Sequence, residues 1–147
     1  MNLRNTTAAE RAAIREAIRI IDNGGYCNDF QSKRWTGPRR GVYKTAYIKD
    51  RSGIVVKQGP LVQLQGEMKL WNKTGRIKYR RFRKYITRSF GIYKGWLFQR
   101  LVKGTQRCSS YDRCGAVAYD IGISDHGNHN HRHIKGKPIW FDTNTYC

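Results

Sequence analysis

The chain has 147 residues with 29 Lys and Arg against 10 Asp and Glu, a formal charge of +19 at neutral pH, and 39% of it is hydrophobic and 12% aromatic. That apolar share excludes disorder throughout, and a domain of this length buries about 68–70% of its unfolded surface, so folding needs neither a disulfide nor a metal. No apolar run approaches the roughly 20 residues of a membrane helix, and the polar start Met1–Ala13 lacks the apolar stretch of a secretory signal; the expectation is one basic domain in the cytoplasm, with Cys27, Cys108, Cys114 and Cys147 as thiols.

Thr6–Asp22 places Ala13, Ile14, Ala17, Ile18 and Ile21 at three- and four-residue spacing, which predicts a helix. Thr6 or Thr7 caps its start and Asn23-Gly24-Gly25 ends it. After a polar connector, Gly41–Lys49 and Gly53–Lys57 are rich in β-branched and aromatic residues and flank the turn Asp50–Gly53, which predicts a hairpin. Gly59-Pro60 breaks the second strand, and Leu61, Leu64, Met68 and Trp71 mark a short amphipathic helix that carries Glu67. In residues 73–88 Phe82, Tyr85 and Ile86 form a buried face covered by Arg and Lys. Phe90–Val102 predicts a second hairpin with Lys94-Gly95 at its tip. Residues 103–114 read as loop, 115–120 as a short helix, and a last strand covers Pro138–Phe141. The sum is an α+β domain: an antiparallel sheet with packed helices.

Several polar residues fall into one ordered pattern. Gly37-Pro38-Arg39-Arg40-Gly41 gives glycines at a turn before a strand, where backbone amides can approach phosphate oxygens. Sixteen residues after Gly41 a strand ends in Val55-Val56-Lys57, a cation beside such a site, and Glu67 is placed to pair with Lys57. Asp125 and Asn130 stand five apart in a loop, and twelve residues beyond Asn130 a strand ends at Asp142.

This order resembles the protein-kinase-like fold over roughly residues 35–142. Val55-Val56-Lys57 looks like the V-A-I-K lysine strand, Glu67 stands at the helix glutamate, and Trp96–Leu101 looks like the strand into the hinge. Asp125 and Asn130 match the spacing of the H-R-D-L-x-x-x-N loop, with Ile123-Ser124 in place of His-Arg, and Asp142 matches the D-F-G aspartate, with Thr143-Asn144 in place of Phe-Gly. The resemblance implies ATP and magnesium as cofactors: the Gly37–Gly41 segment and Lys57 on the phosphates, Glu67 holding Lys57, Asp125 accepting the proton of the attacking hydroxyl, Asn130 and Asp142 on the metal. It also implies an N-terminal helix over 1–24, an N-lobe-like sheet with helices over 35–102, and a minimal C-lobe remnant over 103–147. Short kinase-like proteins of this kind occur in bacteriophages, so the implied setting is the cytoplasm of a bacterial host, with a phosphotransferase, or a relative that only binds nucleotide, acting on a host factor.

Other patterns compete. His126, His129, His131 and His133 lie within eight residues and could hold zinc, although no pair of close cysteine knuckles accompanies them. Asp50 with Glu67-Met68-Lys69 has the letters of a D…E-x-K metal nuclease, but on helical rather than strand periodicity. Nine of the twenty residues 69–88 are basic, with Trp71, Tyr79, Phe82 and Tyr85 among them. Arg76, Lys78, Arg80, Arg81, Arg83, Lys84 and Arg88 are therefore candidate contacts for a polyanionic partner: nucleic acid, a nucleoprotein complex or an acidic host protein. The alternative function is a non-catalytic protein of the phage host-takeover or anti-defence type that acts through this basic face.

Overall fold

The computed structural model describes residues 1–41, 43–104, 119–120, 123, 131–134 and 137–140. Helix α1 (Ala8–Asp22) starts at Thr7, whose side-chain oxygen accepts the Glu10 amide at 3.0 Å while the Glu10 carboxylate accepts the Thr7 amide at 2.9 Å. This reciprocal cap satisfies two amides the first turn would otherwise leave open. At the other end the Gly25 amide reaches back to the Ile20 carbonyl at 2.9 Å, which the positive φ of Gly24 (113°) and Gly25 (67°) permits.

The stretch expected as a polar connector holds two further elements, α2 (Cys27–Ser32) and strand β1 (Thr36–Arg40). β2 (Thr45–Lys49) and β3 (Ile54–Gln58) form the expected hairpin, turning through Gly53 at φ 69°. Helix α3 (Leu61–Lys73) and a 3-10 helix (Ile77–Tyr85) follow, then the second expected hairpin, β4 (Ser89–Tyr93) and β5 (Trp96–Arg100), around Lys94-Gly95. Five antiparallel strands thus form one sheet in the order β1-β2-β3-β5-β4, and the architecture is α+β. β6 (His131–Ile134) and β7 (Lys137–Trp140) make a separate two-stranded ribbon, where the sequence suggested one strand alone. No helix among the described residues is long and apolar enough to cross a membrane.

The chain divides into two compact units, Met1–Leu64 with Ser89–Leu101, and Gln65–Arg88 with Val102–Cys147. Residues 65–88 group with residues 102–147 in the second unit.

In the first unit, α1 lays Ile14, Ala17 and Ile21 on one face of the sheet, against Ile54, Val56 and Phe98. α2 adds Phe30, fully buried, stacked on Tyr47 with ring centroids 4.1 Å apart and meeting Trp35 edge-on at 5.7 Å. Three carboxylates of α1 anchor the helix at the margins of this face. Glu10 takes the Arg100 guanidinium at 2.7 Å, Glu16 takes Lys49 at 2.8 Å and the Trp35 indole at 2.7 Å, and Asp22 takes Lys94 at 2.7 Å and the Tyr93 hydroxyl at 2.8 Å. In the second unit, Leu70 of α3, Phe82 of the 3-10 helix, Ile86 and Ile123 form a smaller core, and β7 packs beside the 3-10 helix.

Burial opposes ionisation of Glu10, but hydrogen bonds from Arg100 and from the Thr7 amide outweigh it and hold the carboxyl below its ordinary 4.5. Burial likewise opposes ionisation of Glu16, and the bonds from Lys49 and Trp35 reverse it. A carboxyl depressed in the folded state stabilises above its unfolded pKa, and that stability is lost as pH falls through the folded value. Stability is accordingly expected to drop as pH falls below about 4.5, and to drop less in the double variant Glu10→Gln, Glu16→Gln. Thermal unfolding at pH 6 and at acid pH checks this, and parallel losses in the two proteins would contradict it.

Candidate functional site

β3 is the middle strand of the sheet, and Ile54, Val55, Val56 and Lys57 are all buried. Ile54 and Val56 point to the α1 face. Alternation sends Val55 and Lys57 to the other face, where cross-strand pairing sets Lys57 between Ala46 of β2 and Leu97 of β5, and Val55 between Ile48 and Gln99. Leu97 is fully buried, and the Gln99 amide donates to the Ser89 hydroxyl at 3.0 Å within the same face. Lys57 is 6% exposed. An ammonium taken out of water costs several kcal/mol unless charge and hydrogen bonds compensate it, so Lys57 is a demanding residue for this position.

The β1–β2 hairpin places its tip beside this lysine. Register pairs Arg40 with Thr45, Arg39 with Ala46 and Ala46 with Lys57, so the tip Gly41–Lys44 lies at the sheet end where β3 finishes. The Gly41 amide closes the tip by donating to the Lys44 carbonyl at 2.8 Å. Just beyond β3, Gly59 is held so close to the tip that a Cβ there would stand 2.8 Å from the Tyr43 carbonyl. Arg39 and Arg40 are exposed on the strand leading into the tip. Register sets Arg39 in the same row as Ala46 and Lys57, whereas Arg40, opposite Thr45, belongs to the other face with Tyr47. One end of the sheet therefore gathers a glycine-bearing turn, the buried Lys57 and one exposed guanidinium, an arrangement suited to an anionic ligand. Arg39 escaped the sequence reading because it stood beside Arg40 and Gly41 without any sign of which strand carried it.

The two candidate glycines separate. Gly37 lies within β1, in an irregular stretch between Thr36 and Arg39, rather than in a turn. Its φ is 138°, and a Cβ would meet the Ala46 carbonyl at 2.8 Å, so its glycine is demanded by the sheet itself. Gly41 is at the tip, where a Cβ would rest 3.6 Å from the Lys44 carbonyl, an ordinary contact. Only Gly41 joins Lys57.

Glu67 belongs to the second unit and is 2% exposed. On α3 the buried positions are Leu64, Glu67 and Leu70, whereas Leu61 is half exposed and Met68 and Trp71 are partly buried. The stripe expected through Leu61, Leu64, Met68 and Trp71 is thus turned so that the carboxylate stands in the middle of the buried face. Asp125, Asn130 and Asp142 lie outside the described residues, as do His126 and His129. His131 and His133 are on β6, paired with Trp140 and Pro138. Among the described residues no group of three or more His, Cys, Asp or Glu could hold a metal ion.

The candidate basic contacts also find their places. Arg76, Lys78, Arg80, Arg81, Arg83 and Lys84 are exposed on or beside the 3-10 helix, and Arg88 just beyond it is partly buried. Several lie over aromatic rings: Arg83 4.6 Å from the Trp71 centroid, Arg81 4.6 Å from Phe82, Lys78 5.4 Å from Tyr79, which also takes Lys73 at 4.4 Å.

Comparison with protein-family models, curated proteins and solved structures finds no match to this chain.

The two glycines give a direct check. Gly37→Ala is expected to destabilise the protein by about 1–3 kcal/mol, through its backbone conformation and the clash with Ala46. Gly41→Ala is expected to stay within about 0.5 kcal/mol of the parent. Thermal unfolding of both variants tests the assignment, and the reverse order of stability would contradict it.

Proposed function

We propose that this chain is a minimal protein-kinase-like domain that binds ATP with magnesium and transfers its γ-phosphoryl group to a factor of a bacterial host. The observation that carries the reading is Lys57, a buried cation on the middle strand, next to a glycine-bearing hairpin tip. Protein kinases carry their phosphate lysine on the third strand, under a glycine-rich turn, and the glutamate that orients it on the helix that follows. Here Lys57 is on the third strand and Glu67 on the helix after it.

Bound magnesium-ATP would supply the phosphoryl group and the metal charge on its oxygens. The chain's own part is position and electrostatics. Lys57 would offer its ammonium to the phosphates from a strand paired on both sides, a position that would need little reorganisation when charge shifts among the phosphate oxygens. Gly41 at the hairpin tip would let the backbone approach the ligand, and Arg39, in the Lys57 row, would add positive potential at its margin. Asp125 would take the acceptor's proton and Asn130 and Asp142 would hold the magnesium, the roles that the resemblance of their loop and strand to the kinase-like pattern implies. What supports the phosphate end of this reading is a buried cation on β3 with a glycine-bearing tip at the same end of the sheet.

Release or transfer of label from γ-labelled ATP tests the proposal. Magnesium-dependent turnover is expected, reduced at least a hundredfold by Asp125→Asn with ATP affinity kept, and reduced by Asp142→Asn with loss of the magnesium dependence. ATP bound without any turnover would remove phosphotransfer and leave a binding protein; turnover untouched by both variants would remove the assigned roles.

A further inference from the structure

The 3-10 helix Ile77–Tyr85 carries five cations and no carboxylate, and the nine Lys and Arg of residues 65–88 face one acidic residue, Glu67, which is buried. A 3-10 helix has three residues per turn, so side chains three apart eclipse each other and form straight rows with a repeat of about 6 Å. The sequence is in phase with that geometry. Tyr79, Phe82 and Tyr85 make one row, turned inward: Phe82 is buried and both tyrosines are partly buried. Lys78, Arg81 and Lys84 make the second row, and Ile77, Arg80 and Arg83 the third, all six exposed.

Two features give these rows a preferred ligand. The cations are held in place: Arg83 lies on Trp71, Arg81 on Phe82, Lys78 and Lys84 on Tyr79 and Tyr85, at 4.6 to 5.4 Å from the ring centroids. A guanidinium stacked on a ring keeps its N–H edges outward, and those edges fit phosphate oxygens two at a time. The surface is also not purely ionic. Ile77, 85% exposed at the head of its row, and the partly exposed rings of Tyr79 and Tyr85 offer apolar contacts among the cations. Bases of a single strand are free to use such contacts, whereas a duplex keeps them stacked inside.

We propose that the 3-10 helix binds single-stranded nucleic acid without sequence preference, its two basic rows following successive phosphates while bases rest against Ile77, Tyr79 and Tyr85. This surface is in the second unit and does not depend on the nucleotide reading of Lys57, so either can fail alone.

Fluorescence anisotropy of labelled oligouridylate with the full chain, titrated over a range of salt, tests the inference. The triple variant Lys78→Gln, Arg80→Gln, Arg81→Gln removes three exposed cations; it is expected to weaken binding at least tenfold and to lower the slope of log K against log salt by about 2, at roughly 0.7 per phosphate contact on a single strand. The control Arg15→Gln, Arg19→Gln, Arg51→Gln removes equal charge from exposed sites of the first unit and is expected to change the slope by less than half as much. Ile77→Ser, at a site too exposed to disturb folding, is expected to weaken binding several-fold with the slope unchanged. Equal effects of the two triple variants would overturn the inference, as binding would then follow net charge alone. Tighter binding of duplex DNA, or displacement of the oligonucleotide by polyglutamate at equal charge concentration, would overturn it in favour of a duplex or an acidic protein.

Discussion

A strand in the middle of a sheet buried on both faces has no natural place for a charge, and Lys57 occupies such a place. The first face is closed by α1 and α2, which cover Ile54, Val56 and Phe98. The second contains Val55, Leu97 and Gln99, also buried. Pairing on both sides then leaves β3 no freedom: slipping its register by one residue would exchange the two faces and set Lys57 into the aromatic cluster around Phe30 and Tyr47. The same pairing that stabilises the sheet therefore aims the lysine, and the β1–β2 hairpin brings its tip to the same end.

Charge is unevenly distributed over the chain, and the fold explains how. Three of the ten carboxylates, Glu10, Glu16 and Asp22, are spaced six residues apart along α1 and are bound to Arg100, Lys49 and Lys94 around the sheet. Those pairs fix the helix and neutralise cations of the first unit. The segment 65–88 holds nine Lys and Arg and a single carboxylate of its own, which is buried. Cation–π stacking there orders several basic side chains without cancelling their charge. A domain that neutralised its positive charge evenly would have nothing comparable to offer a polyanion.

Much of this architecture is legible in the sequence, for local reasons. The box formed by Thr7 and Glu10, the glycines after α1, the Asp50–Gly53 turn and the Lys94-Gly95 tip each act over a few residues, and the elements they bound stand where expected. β1 was hidden because Thr36-Gly37-Pro38-Arg39-Arg40 has the composition of a turn; it becomes a strand only as an edge, where proline's missing amide is tolerated. α2 is six residues long, too short to show a period, and its contribution is the single ring of Phe30. On α3 periodicity marks a helix correctly but favours the apolar stripe, while burial runs through Glu67, a position hydropathy would send to solvent. Of the candidate residues, Gly41 and Lys57 lie at one sheet end, Gly37 has a structural duty in β1, and Arg39 becomes visible as a neighbour of Lys57 only once β1 is in place.

The claim on which the rest turns is that Lys57 holds the phosphates of a nucleotide. Isothermal calorimetry of the full chain with magnesium-ATP, beside magnesium and inorganic triphosphate at the same moderate salt, addresses it, with Lys57→Ala and its longer neutral counterpart Lys57→Met as variants whose folding is verified by circular dichroism. Saturable ATP binding, tighter than triphosphate binding and weakened at least tenfold in both folded variants, is the expected result. ATP binding no tighter than that of triphosphate, or unchanged without the lysine, would mean that the basic chain attracts polyphosphate through its general charge, and that Lys57 is a structural residue of the sheet.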